Sequence, residues 1–298
     1  MAILNEGMMN TRSLLQKIQR LEKVLKLRAT NNSALLEELR VTPARLMSIS
    51  GTPPDPWQAD LLKSDAGRML LLCSRQAGKS TTAAALALRV ALLVANSPIL
   101  ILSPTDRQSG ELFRKILTVY RALGRPVPAV NESLNYLQLA NGSRIISLPG
   151  NERTVRCYSG VALLIIDEAA RVHDSLYRAV RPMLAVSGGR LIALSTPYGT
   201  RGWFHDAWHS AEPWHRLRIT AQECPRISQE FLAEERRVLG ERWFAQEYLC
   251  SFAASVGAVF RPEDIARAFS NASESESWQD LFGEPSAAVP IVEGESSI

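Results

Sequence analysis

A chain of 298 residues, 46% hydrophobic and 21% charged, can bury a substantial core and has an ordinary globular balance, which excludes collagen-like and wholly disordered classes. Its net charge of +4 understates the body: all 34 Lys and Arg precede residue 270, while Glu274, Glu276, Asp280, Glu284, Glu293 and Glu295 follow it, so residues 1–269 set 34 cations against 24 acids, a formal +10 that suits a polyanionic partner. Cys73, Cys157, Cys224 and Cys250 lack CxxC spacing, arguing against a disulfide framework or zinc site and for a reducing cytosol. The longest apolar run, 83–95, contains Arg89 and falls short of the ~20 residues that span a bilayer, with no secretory leader ahead of it.

Leu14, Ile18, Leu21 and Leu25 fall at helical spacing with Arg12, Lys17, Arg20, Lys23, Lys26 and Arg28 on the other faces, predicting an amphipathic basic helix over 11–28. Its apolar face suits packing on the core; docking to a partner or to DNA is the alternative. A second helix is expected over 33–40, and Gly51-Thr52-Pro53-Pro54-Asp55-Pro56 then breaks the chain, separating an N-terminal helical arm (1–52) from the main domain (53–256). From Trp57 onward strands and helices alternate: strand 69–73, a helix from Lys79, strand 99–102, helix 108–123, a hairpin across 136–139 and 144–148, strand 162–166, helix 174–186, strands 191–194 and 216–220, and helices across 229–250. Short apolar strands alternating with helices predict an α/β fold with a mostly parallel sheet covered on both faces. Residues 257–298 read as a linker and an acidic tail of low complexity.

Cys73-Ser74-Arg75-Gln76-Ala77-Gly78-Lys79-Ser80-Thr81 lies between an apolar strand and a helix, the context of a phosphate-binding loop. Backbone N–H groups at the helix start would cradle phosphates, Lys79 would neutralise β and γ oxygens, and the Ser80 hydroxyl would ligate Mg²⁺. Cys73 stands where the pattern G-x-x-x-x-G-K-[ST] has its first glycine. Leu163-Leu164-Ile165-Ile166-Asp167-Glu168 reads as a buried strand ending in two carboxylates, at the sheet edge where open α/β sheets bind ligands. Asp167 would hold Mg²⁺ through water and Glu168 would act as general base; an acidic pair capping the next helix is the alternative. Together with the strand 99–102 between the two motifs, this resembles the ATPases that use a glutamate base, the branch of helicases, recombinases and translocating motors.

A narrower resemblance is carried by Ser74 to Ser80, by Leu102-Ser103-Pro104-Thr105-Asp106-Arg107-Gln108-Ser109, by Arg156-Cys157-Tyr158-Ser159-Gly160 ahead of Leu164-Ile165-Ile166-Asp167-Glu168-Ala169-Ala170, and by Leu194-Ser195-Thr196-Pro197. Over roughly residues 55–260 these resemble the large terminase subunit of tailed bacteriophages, in which an Arg in the phosphate loop and a non-Gly first position are typical. The resemblance implies a P-loop NTPase fold of the RecA/ASCE-like kind, ATP and Mg²⁺ as ligands, and hydrolysis that drives double-stranded DNA into a viral procapsid. It also implies a small terminase subunit and a portal protein as partners, a homo-oligomeric ring on the portal, no membrane, and the bacterial host cytoplasm.

Carried over by position, Trp57-Gln58 becomes the adenine-recognising segment, with the Gln58 amide reading the base (a helix-start glutamine is the alternative). Ser74, Arg75, Gln76, Ala77, Gly78, Lys79, Ser80 and Thr81 become the phosphate contacts. Arg75 becomes an arginine finger in cis, or else a structural ion pair. Ser195-Thr196-Pro197 becomes the coupling motif, or else a strand-ending turn. Arg153 and Arg156 are candidates for an arginine donated to a neighbouring subunit. Arg201 could touch DNA or be solvated. His205, His209 and His215 lack a completed ligand set, and Trp203, Trp208 and Trp214 suit packing. Large terminases usually continue into an RNase H-type nuclease domain; Val256-Gly257-Ala258-Val259-Phe260 resembles its start, only 38 residues follow, and nuclease activity is not expected of this chain. A helicase-like ATPase and a non-catalytic binding module remain as other readings.

Overall fold

The computed structural model describes residues 2–148, 155 and 158–253. Helix α1 runs Ala2–Val41, followed by α2 (Arg45–Ile49) and α3 (Pro56–Lys63). The alternation then begins with β1 (Arg68–Cys73), α4 (Lys79–Leu93), β2 (Pro98–Leu102) and α5 (Asp106–Ala122). Strands β3 (Ala129–Glu132), β4 (Tyr136–Leu139), β5 (Arg144–Leu148) and β6 (Leu163–Asp167) follow. The remaining elements are α6 (Asp174–Val180), β7 (Arg190–Ser195), α7 (Trp203–His209), β8 (His215–Ile219) and α8 (Gln229–Leu249).

The eight strands form one sheet in the order β3-β4-β5-β2-β6-β7-β1-β8. Every pairing along the sheet from β5 to β8 is parallel, and β4 runs against the rest, pairing antiparallel with both β3 and β5. The central strands are apolar on both faces because both faces are covered. Met69, Leu71, Ile99, Ile101, Leu163, Ile165, Ile192 and Leu194 pack with α4 and α5 on one side. Their neighbours Leu70, Leu72, Leu100, Leu102, Leu164, Ile166, Leu191 and Ala193 pack with Leu176, Val180, Trp203 and Phe204 of α6 and α7 on the other. Trp203 stacks on Tyr177 with centroids 3.9 Å apart and donates its indole N–H to Val172 O, so this tryptophan serves packing, as its sequence context suggested.

Three features depart from the sequence expectations. The two N-terminal helices are one. Ala29-Thr30-Asn31-Asn32-Ser33 reads as a polar break, but it holds no Gly or Pro, and the Thr30 and Ser33 hydroxyls donate to Lys26 O and Ala29 O four residues back; continuing a formed helix costs little. The apolar face predicted over 11–28 does not pack on the core: Leu14, Ile18, Leu21 and Leu25 are all exposed, the helix first meets the core at the half-buried Leu35 and Leu36, and full burial begins at Leu39, with Leu46 and Met47 after it. Strand β3 has no counterpart in the predicted hairpin, because its Val130 is exposed and an edge strand needs no apolar run. Among the described residues no helix is long and apolar enough to cross a membrane.

Candidate active site

Strand β1 delivers the chain into the loop 74–78, and Gly78 opens α4 with φ +94°, a left-handed conformation that glycine adopts without steric cost. A Cβ on Gly78 would stand 2.6 Å from Gln58 Nε2. Gly78→Ala is therefore expected to cost ~1–3 kcal/mol, from the backbone and the displaced amide together; denaturant unfolding checks it, and a midpoint equal to wild type contradicts it. The loop is tied to its surroundings by Ser74 N–H to Ile219 O (2.8 Å) and Arg75 N–H to Glu247 O (2.9 Å).

Lys79 is 8% exposed, and its Nζ donates to Ser74 O at 3.2 Å. An ammonium so buried needs anionic or carbonyl partners for its other protons. Ser80 Oγ donates to Asp167 Oδ2 at 3.3 Å, so the loop and the acid strand meet although 87 residues separate them. Burial and the neighbouring Glu168 push the Asp167 carboxyl up to about 6, against the pull of Lys79, the Glu168 N–H and the Ser80 hydroxyl.

That shift has a consequence for stability. A carboxyl raised in the fold is favoured when protonated, so its stabilisation is complete below the ordinary value of 3.8 and is lost as pH rises through about 6. Asn at 167 stays neutral throughout. In metal-free buffer Asp167→Asn should match wild type near pH 4 and exceed it by roughly 2–3 kcal/mol above pH 6.5. Thermal melts across this window check the prediction, and a difference that does not change with pH contradicts it.

Glu168 sits in the left-handed region (φ +50°, ψ +44°), a conformation that costs a non-glycine residue about 1–3 kcal/mol and gathers at functional sites. Its N–H donates to Asp167 Oδ1 (3.1 Å), and its Oε2 accepts from Thr196 Oγ1 at 3.5 Å. Ser195 Oγ accepts from Ala170 N–H (3.1 Å). Both residues therefore touch the turn that carries the acids, because β7 lies between β1 and β6; Ser195, Thr196 and Pro197 are all buried.

Gln58 is 1% exposed. Its Oε1 accepts from Asp55 N–H and its Nε2 donates to Thr82 Oγ1, so it is both a helix-start glutamine and a wall of the cleft. Arg75 is largely exposed and lies 3.7 Å from Glu247, while Gln76 and Thr81 line the same cleft and Ala77 is buried beneath it. Arg153 and Arg156 lie outside the described residues. Arg201 is exposed.

The cleft, about 330 Å³, is also lined by Thr52, Lys115 and Arg226, none of which the sequence singles out. A larger hollow of about 570 Å³ lies beside Asp106, Arg114 and Leu134, away from the lysine and the acid pair. Among the described residues no group of three or more His, Cys, Asp and Glu is placed to hold a metal ion, so a divalent ion here would draw on hydroxyl, carboxylate and ligand oxygens.

A parallel sheet with a phosphate loop after β1, an acid pair after β6 and a hydroxyl pair on the strand between them defines an ASCE-type P-loop fold. A family model, the terminase large subunit, T4likevirus-type, N-terminal, matches residues 70–267, and the chain belongs to that family. The terminase large subunit of Escherichia phage T5 is 27% identical over 223 residues, covering 70% of this chain and 50% of that protein. That of Thermus virus P23-45 is 23% identical over 264 residues, covering 76% and 54%. The chain thus spans about half the length of these curated relatives.

Among solved structures, the large terminase ATPase domain of Thermus phage P74-26 shares the fold at a TM-score of 0.62 and 20% identity, over 71% of this chain and 99% of that one. The large terminase of bacteriophage D6E in complex with ADP does so at 0.54 and 17%, over 63% and 49%.

Proposed function

We propose that this chain hydrolyses ATP as the motor portion of a DNA-packaging terminase, driving double-stranded DNA into a procapsid in the cytoplasm of a bacterial host. Residues 53–256 are assigned as the ATPase domain, 1–52 as its helical arm and 257–298 as a following tail. The observation that carries the reading is the Ser80–Asp167 hydrogen bond, which sets a hydroxyl and a carboxylate side by side at the mouth of a phosphate-type loop. These are hard oxygen donors of the kind Mg²⁺ takes, and the glycine cradle at Gly78 leaves room that a Cβ would fill.

In this reading Ser74, Arg75, Gln76, Ala77, Gly78, Lys79, Ser80 and Thr81 bind the phosphates, and Gln58 reads adenine. Bound Mg²⁺ would neutralise charge on the phosphate oxygens, held directly by Ser80 and through water by Asp167. Glu168 takes a proton from the attacking water. Arg75, leaving its place beside Glu247, reaches the γ-phosphate. Thr196, already on the Glu168 carboxylate, passes the change in that carboxylate to β7, with Ser195 and Pro197 completing the coupling turn.

The +10 body meets DNA through its phosphates, so binding is sequence-independent and weakens with salt. The proposed partners are double-stranded DNA, the small terminase subunit and the portal protein of the procapsid, on which copies of the chain assemble as a ring. Steady-state ATP turnover measured with and without duplex DNA tests the proposal. Turnover that rises with duplexes of unrelated sequence and falls back as salt increases supports it. Unwinding of a partial duplex would favour a helicase, and turnover no higher than buffer would leave a binding module.

A further inference from the structure

The wall of the cleft that carries Gln58, Gly78 and Arg226 is held by a closed circuit of hydrogen bonds. Arg226 Nη2 donates to Ala77 O (3.2 Å) and Nη1 to Asp55 Oδ1 (2.5 Å). The Asp55 N–H donates to Gln58 Oε1 (2.8 Å), Gln58 Nε2 donates to Thr82 Oγ1 (2.9 Å), and Thr82 Oγ1 donates to Gly78 O (3.1 Å). Ala77 and Gly78 are consecutive, so the circuit closes on the phosphate loop itself.

The chemistry of these donors fixes the amide. A backbone N–H only donates, so the Gln58 oxygen must face Asp55. The Thr82 hydroxyl has one hydrogen and gives it to a carbonyl, so it can only accept from the Gln58 nitrogen. Thr82 and Gln58 are 0% and 1% exposed, and water does not compete for these bonds. Asp55 is 6% exposed, and its second oxygen, Oδ2, has no hydrogen-bond partner; Arg226 is the side chain that holds this carboxylate, beside the capping box it forms with Gln58 at the start of α3, and with it the N–H that points the Gln58 oxygen.

An amide so held keeps one N–H and one oxygen lone pair free. That pair complements the N7 acceptor and N6 amine of adenine, whereas guanine offers two acceptors, N7 and O6, on the same edge. We infer that Thr82 and Arg226 are positioning residues that hold Gln58 in one orientation, so that the cleft selects 6-amino over 6-oxo purine nucleotides. The inference rests on the reading of the cleft as an ATP site.

Calorimetric titration of the full chain with Mg²⁺ and ATPγS, GTPγS or inorganic tripolyphosphate tests it, using wild type, Thr82→Val, Thr82→Ser and Arg226→Met. Wild type should prefer ATPγS to GTPγS. Thr82→Val and Arg226→Met should each cut that preference by ~10-fold or more, as expected for a buried hydrogen bond left unmade, while Thr82→Ser restores it and tripolyphosphate affinity moves less than the nucleotide preference. Should Thr82→Val fail to fold, Arg226→Met decides, since its side chain is 43% exposed. A preference unchanged in the variants, or a loss shared equally by all three ligands, overturns the inference while leaving the ATP site standing. Wild type that binds none of the three ligands overturns the ATP-site reading and this inference together.

Discussion

Lys79→Ala is expected to lower kcat/KM for ATP by at least ~10²-fold, the usual effect of deleting one preorganised donor aimed at developing negative charge. The argument is burial. The ammonium is 8% exposed, and the protein supplies it with a carbonyl oxygen, Ser74 O. A charge held in so dry a place interacts more strongly with a phosphate than it would in water, so its removal acts on binding and on the transition state alike. A coupled turnover assay measures the effect, and a rate within threefold of wild type would remove Lys79 from the chemistry.

Glu168→Gln should separate the two steps. The amide keeps the shape of the side chain and can still meet the Thr196 hydroxyl, which lies 3.5 Å from Oε2, but it cannot take a proton. A loss of ~10²–10⁴-fold in kcat is expected for removal of a general base, with ATPγS affinity within a few-fold of wild type. A variant whose defect lies wholly in affinity would show Glu168 to be a binding residue only. The left-handed backbone at this position supports a functional role, because the strain is retained where β6 ends rather than relieved by a glycine.

The central sheet was readable because its strands are apolar runs flanked by breaks, and such runs occur where both faces are covered. What the chain order did not disclose is which strands neighbour one another. β2 follows the phosphate loop in sequence, yet β7 is the strand that lies between the loop strand and the acid strand, and this is what brings Thr196 to Glu168. The long helix α1 was divided wrongly because polar residues resemble a loop when no tertiary contact speaks for them. Its exposed Leu14, Ile18, Leu21 and Leu25 show that amphipathic spacing reports an apolar face and not what covers it. Arg226 left no signal at all: it lies in a loop 171 positions from Asp55, and only the fold makes them neighbours.

The central claim is that the loop ending in Ser80 and the acids ending β6 enclose one Mg²⁺-bound triphosphate. A crystal structure with ATPγS and Mg²⁺ measures this directly. The account predicts phosphates along residues 74–80, with the ion between the Ser80 hydroxyl and the Asp167 carboxylate. Nucleotide bound elsewhere, or an ion that touches neither side chain nor water held by Asp167, would contradict it.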